Sequence, residues 1–144
     1  MDISDFVTLE HVREACHDLG IGDWTERVDT RVDADEAEAI RQAVGAEALL
    51  VSPEAFRQGL EVELEHGLRF PDANVTNNHP VLTGRVVLAH LKEMLDYYAR
   101  LEVAELEGDL LKASRAGDAA RLARLYPRWI EARAKLSASE TSEP

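Results

Sequence analysis

The chain has 144 residues, 45% of them apolar, with a single cysteine, so a core can be buried but no internal disulfide can form. Twenty-eight Asp and Glu side chains against sixteen Lys and Arg give a net charge of −12, a field that repels nucleic-acid phosphate and anionic lipid. This balance argues against direct nucleic-acid binding, and no apolar run approaches the roughly 20 residues of a membrane span.

Eight aromatic residues and abundant Ala, Leu, Glu and Arg favour helix over sheet. The expected fold is all-α: a single-domain bundle of about five helices over residues 1–136, with a disordered tail at 137–144. The acidic opening "MDISDF" stands where a secretory signal would carry positive charge, and Cys16 has no zinc-ligand spacing around it. A soluble cytoplasmic protein is the expectation.

In chain order, "TLEHVREACHDLG" predicts a first helix capped by Thr8 and closed by Gly20, with Leu9, Val12, Cys16 and Leu19 inward and His11 and His17 on the surface. A second helix begins near Asp33 or Asp35 with Ala37, Ile40 and Val44 inward, and Trp24 ahead of it is a packing anchor. "SPEAFRQGLEVELEHG" opens with Ser52 as N-cap and Pro53 at the first helical position, and predicts a third helix to about Gly67.

Residues 68–82, rich in Pro, Asn, Asp and Gly, predict a long functional loop. From near Thr83 the pattern continues to about Ser114 as one long central helix. After the turn "RAGDAA", a last helix places Leu122, Leu125, Tyr126, Trp129 and Leu136 on one side. Arg121, Arg124, Arg128 and Lys135 on its other side answer Glu102, Glu105, Glu107 and Asp109, and Pro127 predicts a kink or restart.

The third helix carries three glutamates and a histidine in "ELEH" and its flanks, and a helical wheel divides them. With Glu63 at zero, Phe56 falls at about 20°, Leu60 at about 60° and His66 at about −60°, while Glu61 and Glu65 point to solvent. With His90 at zero, Val86, Met94, Tyr97 and Leu101 all fall within about 40°, and Glu93 at about −60°. E-x-x-H at 63–66 and H-x-x-E at 90–93 thus face inward, and antiparallel helices would bring all four groups into one layer.

A buried carboxylate needs a partner, and a metal ion supplies one. Glu-x-x-His at this spacing is how ferritin-like di-iron and di-manganese bundles present ligands. Carboxylate plus neutral imidazole suits iron, manganese or zinc. The expected site is therefore a non-haem metal centre on Glu63, His66, His90 and Glu93. It would be mononuclear, or one half of a site shared across a homodimer, since two further glutamates cannot be placed.

Tyr97, His79, Glu65 and Glu102 form its expected surroundings, with Asn74 and Thr76 from the loop completing the site or orienting a water. An open coordination position would bind water or dioxygen, and Glu65 or Glu102 would move protons. Without metal, the same residues would form a buried Glu/His/Tyr network in an acidic adaptor or DNA mimic. No P-loop, nucleophile elbow, Rossmann glycine pattern or Cys/His pair is present.

"FRQGLEVELEHG" and "NVTNNHPVLTGRVVLAHLKEMLDYYARLEVAE" together resemble a widespread group of small bacterial and viral proteins classed as a domain of unknown function. That group's pattern runs GMxVELEHG, TNVT, a Thr-Gly helix start, AHLxE, PDYYxxL and a closing glutamate. The resemblance covers about residues 53–105. It implies that Glu63, Glu65, His66, Gly67, Thr76, Thr83, His90, Glu93, Asp96, Tyr97, Tyr98 and Glu102 are the group's characteristic positions. Leu95 stands where the group has proline. No reaction comes with the resemblance.

Overall fold

The computed structural model describes residues 6–142, and among them the chain forms six α-helices and no strand. These are α1 (Leu9–Leu19), α2 (Ala34–Val44), α3 (Pro53–Arg69), α4 (Pro80–Glu93), α5 (Tyr97–Arg115) and α6 (Ala119–Ser142). They fall into two compact units, one up to Leu95 and one from Asp96 onward.

In the first unit, local sequence sets each helix start. Thr8 Oγ1 accepts the His11 N–H at 3.2 Å while His11 Nδ1 accepts the Thr8 N–H at 3.4 Å, a reciprocal cap that gives His11 a structural role as well as a surface position. Gly20, at φ 66°, ends α1 in the left-handed region. Ser52 caps α3 through the Ala55 N–H, and Pro53 follows at its first position.

The core of this unit is built on Val12, Trp24, Ile40, Phe56, Leu60, Leu64 and Val87. Each of the larger ones contributes about 1.5–3 kcal/mol by leaving water. Gly84 lets α4 approach α2 closely: a Cβ there would lie 2.8 Å from Val44 Cγ2 and 2.9 Å from Ile40 Cγ2.

Polar ties fix the connections between helices. Trp24 Nε1 donates to Glu36 Oε1 at 2.8 Å, and Arg27 pairs with Glu36 while standing over the Trp24 ring. Glu61, expected in solvent, accepts the Val32 N–H at 3.1 Å and pairs with Arg57. That bond anchors the strand-like approach to α2 onto α3.

The helices α3 and α4 pack in opposite directions. Gly67 near the end of α3 shares a pocket with Thr83 near the start of α4, and Glu63, one turn earlier, meets His90 two turns later. The loop between them is shorter than expected: it contains a 3-10 turn at Pro71–Ala73, and α4 begins at Pro80, capped by His79.

The long central helix predicted from Thr83 is broken. At Met94 the backbone turns extended (φ −151°, ψ 128°), its N–H closing on the His90 carbonyl, and a new helix starts after Asp96. The wheel that aligned His90 with Met94, Tyr97 and Leu101 therefore spans two separate helices, and its angles beyond Glu93 have no meaning.

The second unit is a helical hairpin. α5 and α6 bury Val103, Leu106, Ala113, Leu125, Ala132 and Leu136 between them. Gly117, at φ 66°, makes the turn, and Asp118 Oδ1 accepts the Arg121 N–H to open α6. Arg121 pairs with Asp109 at 3.1 Å, so the expected basic stripe is answered in part by α5, and Arg100 of α5 pairs with Glu140 of α6 at 3.1 Å.

One expectation fails here: Tyr126 is exposed where an inward position was expected. Pro127, expected at a kink or a restart, lies within α6, which does not restart there. The same helix runs on to Ser142, into the stretch expected to be the tail; residues 143 and 144 lie outside the described part.

The charge is unevenly shared as well. Residues 1–95 carry nineteen acidic against eight basic side chains, and residues 96–144 nine against eight, so nearly all of the −12 belongs to the first unit.

Candidate functional site

The centre of the inward face of α3 is Phe56, Gly59, Leu60, Leu64 and Gly67. Glu63 sits at the margin of that stripe with its side chain 17% exposed, and His66 further out at 44%. On α4 the inward residues are Pro80, Thr83, Gly84, Val87 and Leu91, with His90 beside them at 30%.

Glu63 stands between two imidazoles. Its Oε1 is 3.1 Å from His90 Nδ1 and its Oε2 is 4.0 Å from His66 Nδ1. The two tautomers of His90 divide the chemistry: with the proton on Nδ1 the ring donates to the carboxylate, and with it on Nε2 the Nδ1 lone pair faces Glu63, so that both could meet one ion. Three of the four expected ligands are thus brought together as a pair plus a neighbour.

Glu93 is not among them. It is exposed in the last turn of α4 and lines a different concavity with Glu47, Leu50 and Lys92. The cause is rotational: the inward face of α4 is centred on Val87 and Leu91, which carries Glu93 outward. Among the described residues, no group of three or more His, Cys, Asp or Glu side chains is set as a ready metal centre.

Glu63 and His66 line a pocket of about 170 Å³, with the loop forming one of its sides. Asn74, Thr76 and Thr83 supply its polar wall, and Phe70, Val75 and Val86 its apolar one. A volume of this size suits a hydrated ion or a molecule of a few heavy atoms.

Hydrogen bonds lock the loop wall. Asn74 Nδ2 donates to Asn78 Oδ1 at 2.8 Å, Thr76 Oγ1 to Asn74 Oδ1 at 3.3 Å, and Thr76 and Thr83 hydroxyls meet at 3.2 Å. Asn77 and Asn78 adopt left-handed φ of 49° and 58°, which asparagine tolerates better than most residues. Gly67 makes room for them: a Cβ there would lie 2.1 Å from Asn78 Oδ1. Asn74 and Thr76, expected from the loop, do line this wall, while Asn78 and its left-handed backbone were not foreseen.

The other expected residues fall elsewhere. Glu65 is exposed and lies 3.9 Å from Arg69. His79 caps α4, Nδ1 accepting the Leu82 N–H at 3.5 Å, and lines a separate groove with His11, Glu14 and Asp18. Burial, together with the charge of His11, holds its pKa below the usual histidine value. A neutral imidazole whose Nδ1 accepts that bond has its proton on Nε2, so His79 cannot ligate a metal and keep its cap.

Tyr97 and Glu102 belong to α5, where the Tyr97 ring meets Tyr98 edge to face at 5.2 Å and Glu102 is exposed. Cys16 is buried, and burial pushes its thiol pKa up, so it is no nucleophile.

The fold and this pocket define an all-helical protein with a Glu/His cluster at the junction of two antiparallel helices. The chain belongs to the family described as protein of unknown function (DUF5661), whose sequence model matches residues 12–107. Comparison with curated proteins and with solved structures gives no match. No helix among the described residues is long and apolar enough to cross a membrane.

Proposed function

We propose that the protein binds a transition metal ion, iron, manganese or zinc, on Glu63, His66 and His90, with the adjoining pocket holding water or a small polar ligand. The observation that carries this reading is the position of Glu63 between two histidine Nδ1 atoms at 3.1 and 4.0 Å, at the wall of a polar-lined pocket. Two imidazoles and a carboxylate are the donor set these metals prefer. His66 is partly exposed, with its Nδ1 4.0 Å from Glu63 Oε2.

A bound metal would supply Lewis acidity or a redox couple. Thr76, Thr83 and Asn74 would orient whatever occupies the pocket. Glu93 has no part in this ligand set.

A second reading has its own support: the Glu63–His90 hydrogen bond already satisfies the carboxylate without metal. The pair would then be a carboxylate–imidazole relay lining a small-molecule pocket. The adaptor reading draws on the concentration of negative charge in residues 1–95.

Elemental analysis of the purified protein, wild type beside His90→Ala and Glu93→Ala, separates these readings. Near-stoichiometric metal in wild type and Glu93→Ala, lost in His90→Ala, is the expected result. No metal in any of them, and no rise in Tm on adding iron, manganese or zinc, overturns the metal reading in favour of the relay.

A further inference from the structure

Two helices that touch each other both begin on a histidine acceptor. At the start of α1, His11 Nδ1 accepts the Thr8 N–H at 3.4 Å, and at the start of α4, His79 Nδ1 accepts the Leu82 N–H at 3.5 Å. Serine, threonine, aspartate and asparagine are the usual N-caps, and glutamate or glutamine the usual third residue of a capping box. Histidine differs from all of them, because its acceptor disappears when the ring takes up a proton near neutral pH.

The two rings share one environment. α1 packs on α4, and His11 and His79 line the same groove. Each holds its cap only as the neutral tautomer with the proton on Nε2. Protonation turns each Nδ1 into a donor facing an N–H and places positive charge at the positive end of a helix dipole. Glu14 and Asp18 of α1 also line the groove and attract a protonated ring; among the described residues, no other charged side chain lines it. At His79 they do not prevail, since burial first and then the charge of His11 hold its pKa below the usual value.

Both caps bear on the loop that walls the Glu63 pocket. Asn77 Nδ2 donates to the Val7 carbonyl at 2.8 Å, one residue ahead of the Thr8 cap. His79 directly follows the turn whose Asn74, Thr76 and Asn78 side chains bond to one another. We infer that His11 and His79 form an acid-sensitive latch. Neutral, they fasten the loop between the starts of α1 and α4; protonated, they release both starts and open the pocket wall.

The sign follows from the caps. Because the His79 pKa is lowered in the folded state, the closed form has its full advantage above the ordinary value near 6.5 and loses it as pH falls through the folded value. The latch governs access to the pocket whatever ligand binds there, so it stands apart from the metal reading.

The test is hydrogen exchange of the full chain, read amide by amide by NMR at pH values on either side of the His79 ring's own titration, with rates corrected for the intrinsic effect of pH. On the acid side, amides of residues 8–12 and 74–82 should exchange about 5-fold faster for one lost cap and about 30-fold faster for both. Amides of residues 56–64 in α3 should stay as protected as before. His11→Glu completes the capping box begun by Thr8, and His79→Asn is a usual N-cap, so the double variant keeps both helix starts without a group that titrates near neutral pH. It should show no local loss over the same range. Wild-type protection unchanged across the titration, a loss spread evenly through α1 to α4, or an equal local loss in the double variant overturns the inference.

Discussion

The carboxylate of Glu63 and the imidazole of His90, 27 positions apart in sequence, meet at 3.1 Å and tie α3 to α4 at the edge of their shared core. Because the carboxylate side chain is largely withdrawn from water, the contact has more value than a surface pair. In chelator, Glu63→Gln is expected to lower stability by about 1 kcal/mol. A double-mutant cycle between Glu63→Ala and His90→Ala should show coupling of about 0.5–2 kcal/mol in urea denaturation. Additive effects would mean that the contact does not hold the helices.

Much of this site could be read from sequence, and its failures have physical causes. Periodicity placed Glu63 and His90 near the core because Phe56, Leu60 and Val87 impose a helical stripe that both residues border. Glu93 was misplaced because Met94, Tyr97 and Leu101 were counted on the same wheel, across a break that no proline or glycine marks. Asn74 and Thr76 were placed at the site from sequence, but the Asn74–Asn78 contact was beyond local pattern, since it relies on a missing Cβ at Gly67, on the preceding helix. Caps, by contrast, are decided within four residues, and Thr8 and Ser52 were both placed from sequence.

Gly67→Ala tests that wall. The added methyl would sit 2.1 Å from Asn78 Oδ1 and 2.9 Å from Asn74 Nδ2, so the loop must move. A loss of about 1–3 kcal/mol is expected. Asn78→Gly added to it removes the obstructing amide and keeps the left-handed backbone, so the double variant should be more stable than Gly67→Ala alone. Equal stability would show that the methyl is accommodated some other way.

The cap of α4 makes stability depend on pH. Burial, aided by His11, lowers the His79 pKa in the folded state, while the unfolded chain keeps the ordinary value near 6.5. Below that value the unfolded state binds more protons than the folded one, so this group's contribution is full above pH 6.5 and declines as pH falls through the folded pKa. His79→Asn preserves an N-cap without a titrating group. Urea midpoints measured across mildly acidic to neutral pH should fall less steeply for the variant than for wild type; identical slopes would remove His79 from the pH dependence.

The break between α4 and α5 gives the sharpest test of the fold, because a proline at position 95 has opposite consequences in the two arrangements. Inside one continuous helix, Leu95→Pro would remove a hydrogen bond and clash with the preceding turn, at about 3 kcal/mol or more. Here Leu95 is exposed and follows Met94, whose φ of −151° and ψ of 128° lie in the extended region that a residue before proline prefers. Proline would then mainly restrict the unfolded chain, raising stability by about 0.4–1 kcal/mol. A raised or unchanged Tm with intact helical circular dichroism is the expected result, and a loss of several kcal/mol would mean that the helix runs through position 95 after all.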